Sequence, residues 1–395
     1  MNFWHKIKNP FDGTQDKPII CLAPMADVTD SAFRHIIAKY SKGEKSQNMF
    51  SSFSTDISLL GNSSAPPASS CEASRARSAR QPAQGTLKKI FCDSYVTYTE
   101  FVSADGLALA PEEGRKKLLK DLEYSEIERP IVAQFFTSKP DMMEKAATLA
   151  LELGFDGVDI NMGCPDKSIE KQGAGASLIK NPSLARELIR SAKKGVQDKI
   201  PISVKTRLGY NKDELEEWLP ELLAENPAAI VIHARTRKDM SKVPADWSRI
   251  KRAVEIRDQI QNFSSEHFSS PQALKSTDFE KTLIIGNGDV VDTDDAKRKC
   301  KESGADGAMI GRGIFGNPWL FANYEPTLKE KLKVLLEHIK LFDEKLGDIK
   351  SFAVMKKHFK AYLKNPEEKK LRLKLMKTEN AKEVEEIMNQ FLSSV

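Results

Sequence analysis

Residues 131–165 read IVAQFFTSKPDMMEKAATLALELGFDGVDINMGCP, and this stretch decides the fold. It predicts a strand over 131–135, a helix over 140–153 that ends at Gly154, and a second strand over 157–161. The apolar side chains of the helix recur at helical spacing, at Met142, Met143, Ala146, Ala147, Ala150 and Leu151. A strand, a helix and a second strand in this order form a βαβ unit, the repeat of a parallel sheet.

The same alternation of short β-rich runs and helical stretches recurs through most of the chain. Eight such runs occupy residues 19–22, 95–100, 131–135, 157–161, 202–205, 229–233, 282–286 and 307–310. Eight βα repeats favour an α/β fold of the (β/α)8 TIM-barrel type over an open doubly wound sheet.

Two polar segments interrupt this rhythm and are predicted to be insertions. Residues 43–93 are rich in Ser and Ala and lie where a barrel needs only a short loop, so they predict a flexible surface insertion. Its Arg75, Arg77 and Arg80 suit either contact with a polyanion or a tolerated insert. A smaller insertion, residues 262–281, precedes the seventh strand.

The βα alternation stops after Trp319, and helical periodicity replaces it. Residues 328–346, 352–363 and 369–391 predict helices of a separate C-terminal helical-bundle domain. The domain boundaries are therefore predicted at 1–324 for the barrel and 325–395 for the helical domain.

The composition of the 395 residues is that of a soluble globular protein. Hydrophobic residues make up 40% and charged residues 30%, which argues against a wholly disordered, collagen-like or membrane protein. No signal-peptide core and no membrane-length apolar run is present, so we expect a cytoplasmic protein without a membrane partner. The five cysteines are scattered outside any metal-binding spacing, so we expect neither a disulfide framework nor a metal.

The positive charge is concentrated near the C-terminus. The net charge is +5, and residues 325–395 hold 16 basic against 12 acidic side chains. Within them, residues 350–382 hold 11 basic side chains and only three acidic ones. Taken alone, this segment fits either a solvated helix face or a surface that binds a polyanion.

Polar residues and glycines follow most of the predicted strands. The strand ends and the turns beyond them carry Pro24, Met25, Gln134, Asn161, Cys164, Lys205, Arg207, His233, Arg235, Arg237, Asn287, Gly288, Gly311 and Arg312. Because the C-terminal ends of barrel strands meet at one face, we expect these residues to converge there on a single site.

Three features of this series point to chemistry. The turns at Gly288 and Gly311 offer backbone N–H groups to a phosphate, and Arg312 adds a cation. Lys205 and His233 can reach the same ligand, although alone they also fit a structural ion pair and a core histidine. Cys164 lies in a Gly-Cys-Pro turn near Asn161, which favours a catalytic thiol over inert filler.

Several long motifs in order resemble the tRNA-dihydrouridine synthase family. They are CLAPMADVTDSAFR (21–34), TEFVSADGL (99–107), VAQFF (132–136), DINMGCPDKSIEKQGAGASL (159–178), VKTRLGY (204–210), VIHARTR (231–237), IIGNGDV (284–290) and GADGAMIGRGIFGNPWLF (304–321). The resemblance spans most of residues 19–321, and a shorter match at 355–358 extends it into the helical domain. The insertion 43–93 departs from the family pattern but removes no motif residue.

The resemblance implies an FMN enzyme that reduces the uracil C5–C6 double bond of particular tRNA uridines and uses NADPH as reductant. In that family pattern Cys164 gives the proton to C5 and Asn161 orients the uracil. The implied cofactor residues are Pro24 and Met25 with Gln134 beside the flavin ring, Lys205 and His233 at its polar edge or ribityl chain, and Asn287, Gly288, Gly311 and Arg312 at the phosphate.

The same resemblance implies a grip on the tRNA body, since a base must leave the folded tRNA to reach a barrel site. Arg235 and Arg237 are candidates for RNA contact at the mouth, and Lys356, Lys357 and Lys360 for phosphate contact by the helical domain. We expect a monomer. Two rivals stay open: an FMN barrel of the dihydroorotate dehydrogenase kind acting on a free pyrimidine, and a non-catalytic tRNA-binding protein.

Overall fold

A computed structural model describes residues 2–8, 17–42, 95–267 and 281–392. For residues 263–267 it describes the backbone only. The predicted insertion 43–93, with Arg75, Arg77 and Arg80, lies outside the described residues. Of the smaller predicted insertion, residues 262–267 continue a helix that starts at Trp247, and residues 268–280 lie outside the described part.

Eight parallel strands form a closed barrel, which confirms the predicted (β/α)8 fold. The strands are β1 Ile19–Leu22, β2 Thr97–Ser103, β3 Ile131–Phe136, β4 Gly157–Asn161, β5 Ile202–Arg207, β6 Ala229–His233, β7 Leu283–Asn287 and β8 Gly307–Ile310. Each strand pairs with its neighbour in chain order, and β8 pairs with β1. The ring closes between β1 and β2 through a parallel bridge from Cys21 to Val96.

Helices precede the barrel and alternate with its strands. They are α1 Phe3–Lys8, α2 Ser31–Lys42, α3 Ala104–Leu109, α4 Glu112–Asp121, α5 Pro140–Glu152, α6 Lys167–Glu170, α7 Pro182–Val196, α8 Leu215–Leu223, α9 Trp247–His267 and α10 Thr293–Ser303. The helix predicted over 140–153 is α5, which starts with Pro140 in its first turn and ends just before Gly154 at φ +77°.

A packed apolar cluster fills much of the barrel interior, and α1 completes it from the N-terminal end of the strands. Trp4 and Phe3 stack at a ring distance of 4.8 Å and join the interior cluster of Tyr98, Val231 and Met309. A Cβ on Gly157, the first residue of β4, would lie 3.1 Å from Phe3, which shows how closely α1 packs there. With the lower end filled, a ligand site is left to the opposite face.

The C-terminal region is helical, as predicted, but contains one helix more than predicted. Its helices are α11 Leu328–Leu346, α12 Met355–Tyr362, α13 Lys369–Leu375 and α14 Ala381–Leu392. The single helix predicted over 369–391 is wrong. The chain turns at Thr378, whose hydroxyl donates to Leu375 O, and restarts at Asn380, whose Oδ1 accepts from Glu383 N.

The helical region packs directly on the barrel. Ala32 and Ile36 of α2 belong to the same buried cluster as Leu335 and Phe342 of α11. Lys350 forms ion pairs of 2.5 Å with Glu100 in the middle of β2 and 2.9 Å with Asp121. One continuous apolar core therefore holds α11 against α2.

The face of the helical region nearest the barrel mouth is fixed by backbone contacts. Lys357 Nζ donates to Asp27 O at 2.6 Å, in the loop after β1, and Lys364 Nζ donates to Phe315 O at 2.9 Å, in the loop after β8. The start of α12 thus lies beside the C-terminal ends of the strands. In the part of the chain that the structure describes, no helix is long and apolar enough to cross a membrane.

Candidate active site

A cavity of about 700 Å³ opens at the C-terminal ends of the strands. The structure brings together in its wall thirteen of the residues predicted from the sequence: Pro24, Met25, Gln134, Asn161, Cys164, Lys205, Arg207, His233, Arg235, Asn287, Gly288, Gly311 and Arg312. Charge is unevenly distributed in this wall, since the cations Lys205, Arg207, Arg235 and Arg312 face the single carboxylate of Asp289. The cavity therefore suits an anionic ligand.

Asn161 at the end of β4 fixes the turn that carries Cys164. Its side-chain Oδ1 accepts hydrogen bonds from the backbone N–H groups of Gly163 at 3.1 Å and Cys164 at 2.9 Å. Its Nδ2 donates to Gln134 Oε1 at 3.1 Å. Both amide side chains are buried, so the turn rests on a rigid polar support.

Cys164 is half-buried and carries a free thiol at the cavity wall. Burial raises the pKa of the thiol above its ordinary value, and this effect outweighs the cations Arg207 and Lys205, which lower it. The thiol is therefore protonated at neutral pH and is suited to donate a proton rather than to attack as a thiolate.

Lys205 and Asn287 lie across the cavity wall from β5 to β7. Lys205 Nζ donates to Asn287 Oδ1 at 3.3 Å, and Asn287 Nδ2 donates to Met309 O at 2.8 Å. Burial and the neighbouring Arg207 lower the pKa of Lys205 to about 8. Among the residues that the structure describes, the ammonium has one long hydrogen bond, so it retains donors for a bound ligand.

His233 at the end of β6 is held as a neutral imidazole. Burial, followed by the charges of Arg207 and Lys205, lowers its pKa to about 2. Its Nε2 lies 3.0 Å from an Nη1 of Arg235, which is always a donor, so Nε2 accepts and Nδ1 carries the proton.

Arg235 points into the protein, and its side chain is only 3% exposed. It contacts His233, donates to Val243 O at 2.6 Å and forms an ion pair with Asp289. Arg312 also pairs with Asp289, at 3.0 Å, but is 64% exposed at the rim. Of the two guanidinium groups, that of Arg312 is the one exposed to an incoming anion.

Arg237 lies outside the cavity wall and pairs with Glu170 of α6, with Nε to Oε1 at 2.7 Å. Its guanidinium also lies 5.0 Å from the centre of the Tyr210 ring. The predicted RNA contacts of Arg235 and Arg237 stay predictions, and the structure gives both side chains partners within the protein.

The two glycine turns differ in what surrounds them. A Cβ added at Gly311 would make only ordinary van der Waals contacts, at 3.8 Å from Ala23 Cβ and Met25 Sδ. Gly288 has φ +118°, and a Cβ there would lie 2.7 Å from Ala245. Only glycine suits the turn at Gly288, while the turn at Gly311 has room for a Cβ.

Arg207 at the end of β5 holds two loops of the cavity together. Its Nε donates to Gly163 O at 2.8 Å, and its Nη1 donates to Thr236 O at 3.1 Å and Met240 O at 3.0 Å. The sequence indicates a cation at this strand end but gives no sign of three carbonyl partners on two loops. Phe101 of β2 also lines the cavity and was missed, since an aromatic strand residue reads as ordinary core.

The predicted phosphate-contacting lysines lie on α12. Lys360 is exposed, Lys356 is half-buried, and Lys357 is exposed and bound to Asp27 O. The contact with Asp27, two residues beyond Met25 of the cavity wall, places this helix at the cavity entrance. The structure thus joins a basic helix to the mouth of the site.

A closed (β/α)8 barrel with a polar, cationic cavity at its C-terminal face and a free thiol in the wall has the architecture of a TIM-barrel enzyme. Comparison with known proteins gives the family. The sequence profile described as dihydrouridine synthase (Dus) matches residues 21–263 and 272–395. The chain belongs to the dihydrouridine synthase family.

Curated relatives match over nearly the whole chain. A probable tRNA-dihydrouridine synthase of Staphylococcus aureus (strain MRSA252) is 31% identical over 395 residues, which cover 99% of this chain and 95% of that protein. Probable tRNA-dihydrouridine synthase 2 of Bacillus subtilis (strain 168) is 32% identical, with coverage of 99% and 96%. Among solved structures, histamine dehydrogenase from Rhizobium sp. 4-9 aligns at a TM-score of 0.39 and 12% identity over 62% of this chain and 44% of that one, too distant a likeness to carry an argument.

Proposed function

We propose that this enzyme reduces the C5–C6 double bond of particular uridines in tRNA to give dihydrouridine, with FMN as cofactor and NADPH as reductant. The observation that carries the proposal is the free thiol of Cys164, which Asn161 holds in the wall of a cationic cavity. Membership of the dihydrouridine synthase family and the names of relatives, which specify tRNA, support the same conclusion.

The residues of the cavity fit FMN by their chemistry. A phosphate needs a cation and a close approach of the backbone, and the exposed Arg312 beside Gly311 in the cavity wall would meet both needs. The polar edge of a flavin needs donors, and Lys205 has donors left after its single bond to Asn287. When bound, FMN would supply the hydride for uracil C6.

Cys164 supplies the proton that C5 requires. A general acid must be protonated at working pH, and the raised pKa of this thiol meets that condition. Asn161 Oδ1 is committed to the backbone of the turn, so its part is to hold the thiol in position as well as to border the substrate. His233, neutral and fixed in one tautomer, offers Nδ1–H as a hydrogen-bond donor.

The tRNA would be held by the helical region beside the mouth. A uridine inside folded tRNA reaches a barrel cavity only when it is extruded, and extrusion requires contact with the surrounding phosphates. Lys356 and Lys360 of α12 lie on the helix that contacts the loop after β1, at the cavity entrance.

The rival activity on a free pyrimidine is tested by substrate choice. Purified protein is examined for bound flavin, and oxidation of NADPH is followed with tRNA, with uridine and with orotate as acceptors. The proposal predicts bound FMN and turnover with tRNA alone. Turnover with free pyrimidines at a comparable rate would contradict it, and a colourless protein that neither binds FMN nor oxidises NADPH would favour the non-catalytic alternative.

A further inference from the structure

A chain of buried hydrogen bonds runs beneath the cavity from Ser203 to the Cys164 turn. Asp159 Oδ1 accepts from Ser203 Oγ at 2.6 Å, and its Oδ2 accepts from Gln134 Nε2 at 2.6 Å. Gln134 Oε1 then accepts from Asn161 Nδ2 at 3.1 Å, and Asn161 Oδ1 accepts from the backbone of the turn. The side chains of Asp159, Gln134 and Ser203 are fully buried.

The strand register creates this chain. Gln134 of β3, Asp159 of β4 and Ser203 of β5 are paired directly across the sheet, so their side chains are neighbours on the inner face of the barrel. Asp159 and Asn161 are two residues apart on β4 and therefore point to the same side of the sheet. The chain thus links these neighbouring side chains to Asn161, which borders the cavity.

The direction of the hydrogen bonds is consistent from end to end. An ionised carboxylate only accepts hydrogen bonds, so Gln134 must present its NH2 group to Asp159 and its oxygen to Asn161. The backbone N–H groups of Gly163 and Cys164 only donate, so Asn161 must present its oxygen to them and its NH2 group to Gln134. Reversal of either amide would place two donors or two acceptors in contact.

We propose that Asp159 is a positioning residue for the proton transfer, which holds Gln134 and, through the Gln134–Asn161 bond, the turn that carries Cys164. Without the carboxylate, Gln134 Nε2 loses its acceptor in a buried position, where an unmade hydrogen bond is costly. Gln134 then moves toward another partner, its bond to Asn161 weakens, and the turn loosens. The effect of Asp159 on the geometry of the turn follows from the hydrogen bonds alone, and its effect on proton transfer rests on the proposed function.

Three variants separate this role from others that Asp159 has. Asp159→Leu removes the acceptor. Asp159→Asn removes the charge but keeps an oxygen that faces Gln134, because the new NH2 group finds an acceptor in Ser203 Oγ. Ser203→Ala removes a donor to the same carboxylate and leaves the bond to Gln134 intact, so it is the matched control.

Two readouts are measured in the full-length protein loaded with FMN. The first is the rate of dihydrouridine formation in tRNA under single-turnover conditions from reduced flavin. The second is the rate at which iodoacetamide alkylates Cys164, followed by mass spectrometry, which needs no substrate. Flavin content and melting temperature are recorded for each variant.

We expect Asp159→Leu to slow dihydrouridine formation up to about 100-fold, the scale of a small misplacement of a reacting group, and to speed alkylation of Cys164. Asp159→Asn recovers most of the wild-type values, and Ser203→Ala stays close to them. If Asp159→Leu fails to fold, Asp159→Ala takes its place, since it removes the same acceptor without adding a branched side chain.

Equal values for wild type and Asp159→Leu in both readouts would overturn the inference. An Asp159→Asn variant as slow as Asp159→Leu would also overturn it, and would assign the role to the negative charge beside Lys205 instead. If wild-type protein forms no dihydrouridine while alkylation still changes as expected, the proposed function fails and the positioning of the turn stands.

Discussion

At the scale of single residues, Cys164 differs from the other two described cysteines in where it lies. Cys21 is buried in the barrel interior, and Cys300 is buried in the layer of helices around the barrel, where burial raises its pKa to about 12. Cys164 alone among these three lines the cavity. Of these three thiols, that of Cys164 is therefore accessible to a substrate in the cavity, and those of Cys21 and Cys300 are not.

Cys164→Ala tests the proton-donor role. We expect bound FMN and reduction of the flavin by NADPH to stay near wild-type values, because the backbone of the turn is still held by Asn161. Dihydrouridine formation should fall by about 100-fold to 10,000-fold, the usual contribution of a general acid. Cys300→Ala is the control and should retain activity; full product formation by Cys164→Ala would refute the role.

The ionisation of Cys164 gives a second, independent check. Because burial raises its pKa, the alkylation rate of Cys164 should rise with pH to a midpoint above about 8.5, the pKa of an unperturbed thiol. Glutathione measured in the same buffers serves as the reference. A midpoint below that of glutathione would mean a thiolate at neutral pH and would favour a nucleophile over an acid.

Residue identity at the strand ends was predictable from the sequence, but partners were not. Lys205 and His233 lie at the ends of neighbouring barrel strands, and this position alone predicts that both line one cavity, as they do. Arg235 looks equally suited to RNA contact, yet it turns inward because Asp289, 54 residues later, meets it on the neighbouring loop. Such pairings depend on the side-chain geometry of two loops, which strand spacing does not determine.

At the scale of elements, the eight strands were predictable because each is a short apolar run bounded by turn residues. The strand ends differ slightly, as for β2, which is Thr97–Ser103 instead of 95–100. Helix α1 was not predicted, because six residues are too few to show helical periodicity. Its packing into the barrel interior is visible only in the folded structure. The break between α13 and α14 was missed because apolar residues recur on both sides of it.

At the scale of elements, a substitution at Gly316 tests how closely α12 of the helical region packs on the loop after β8. Gly316 has φ +72° in the loop after β8, and a Cβ there would lie 2.0 Å from Ala361 O of α12. Gly304 has the same φ of +72°, but its Cβ would meet only Val254 at 3.8 Å. The two glycines share the backbone conformation and differ in the contact.

We expect Gly304→Ala to lower the free energy of unfolding by about 1 kcal/mol from backbone strain alone. Gly316→Ala should cost about 1–3 kcal/mol more, since two backbones must separate, and should also weaken tRNA binding by displacing α12. Chemical denaturation and a filter-binding assay measure the two effects. Equal stability and equal affinity of the two variants would show that the contact at Gly316 does not hold α12 in place.

At the scale of the whole molecule, the barrel and the helical region share a core. Deletion of residues 325–395 would expose Ala32, Ile36 and Trp319, which are buried against α11 and its neighbours. Loss of tRNA binding in such a truncation would then report on folding as much as on RNA contact. Substitutions on the surface of α12 are the cleaner experiment.

The double variant Lys356→Gln and Lys360→Gln tests the phosphate contacts. Neither side chain has a hydrogen bond or ion pair in the described residues, so the fold should be unaffected. We expect weaker tRNA binding and a salt dependence of log K shallower by about 1 to 2, as for two lost phosphate contacts. Lys199→Gln with Lys301→Gln, exposed lysines at the opposite end of the barrel, is the charge-matched control. Identical affinity and salt slope in the two double variants would rule out phosphate contact by α12.

The activity of the whole protein is tested most directly on its own substrate. Bulk tRNA from a strain that lacks the gene is incubated with the purified protein, FMN and NADPH, and dihydrouridine is mapped position by position by mass spectrometry. We predict that dihydrouridine appears at one or a few defined positions with wild-type protein and does not appear with Cys164→Ala. Dihydrouridine content unchanged at every position after treatment with wild-type protein would contradict the proposed function.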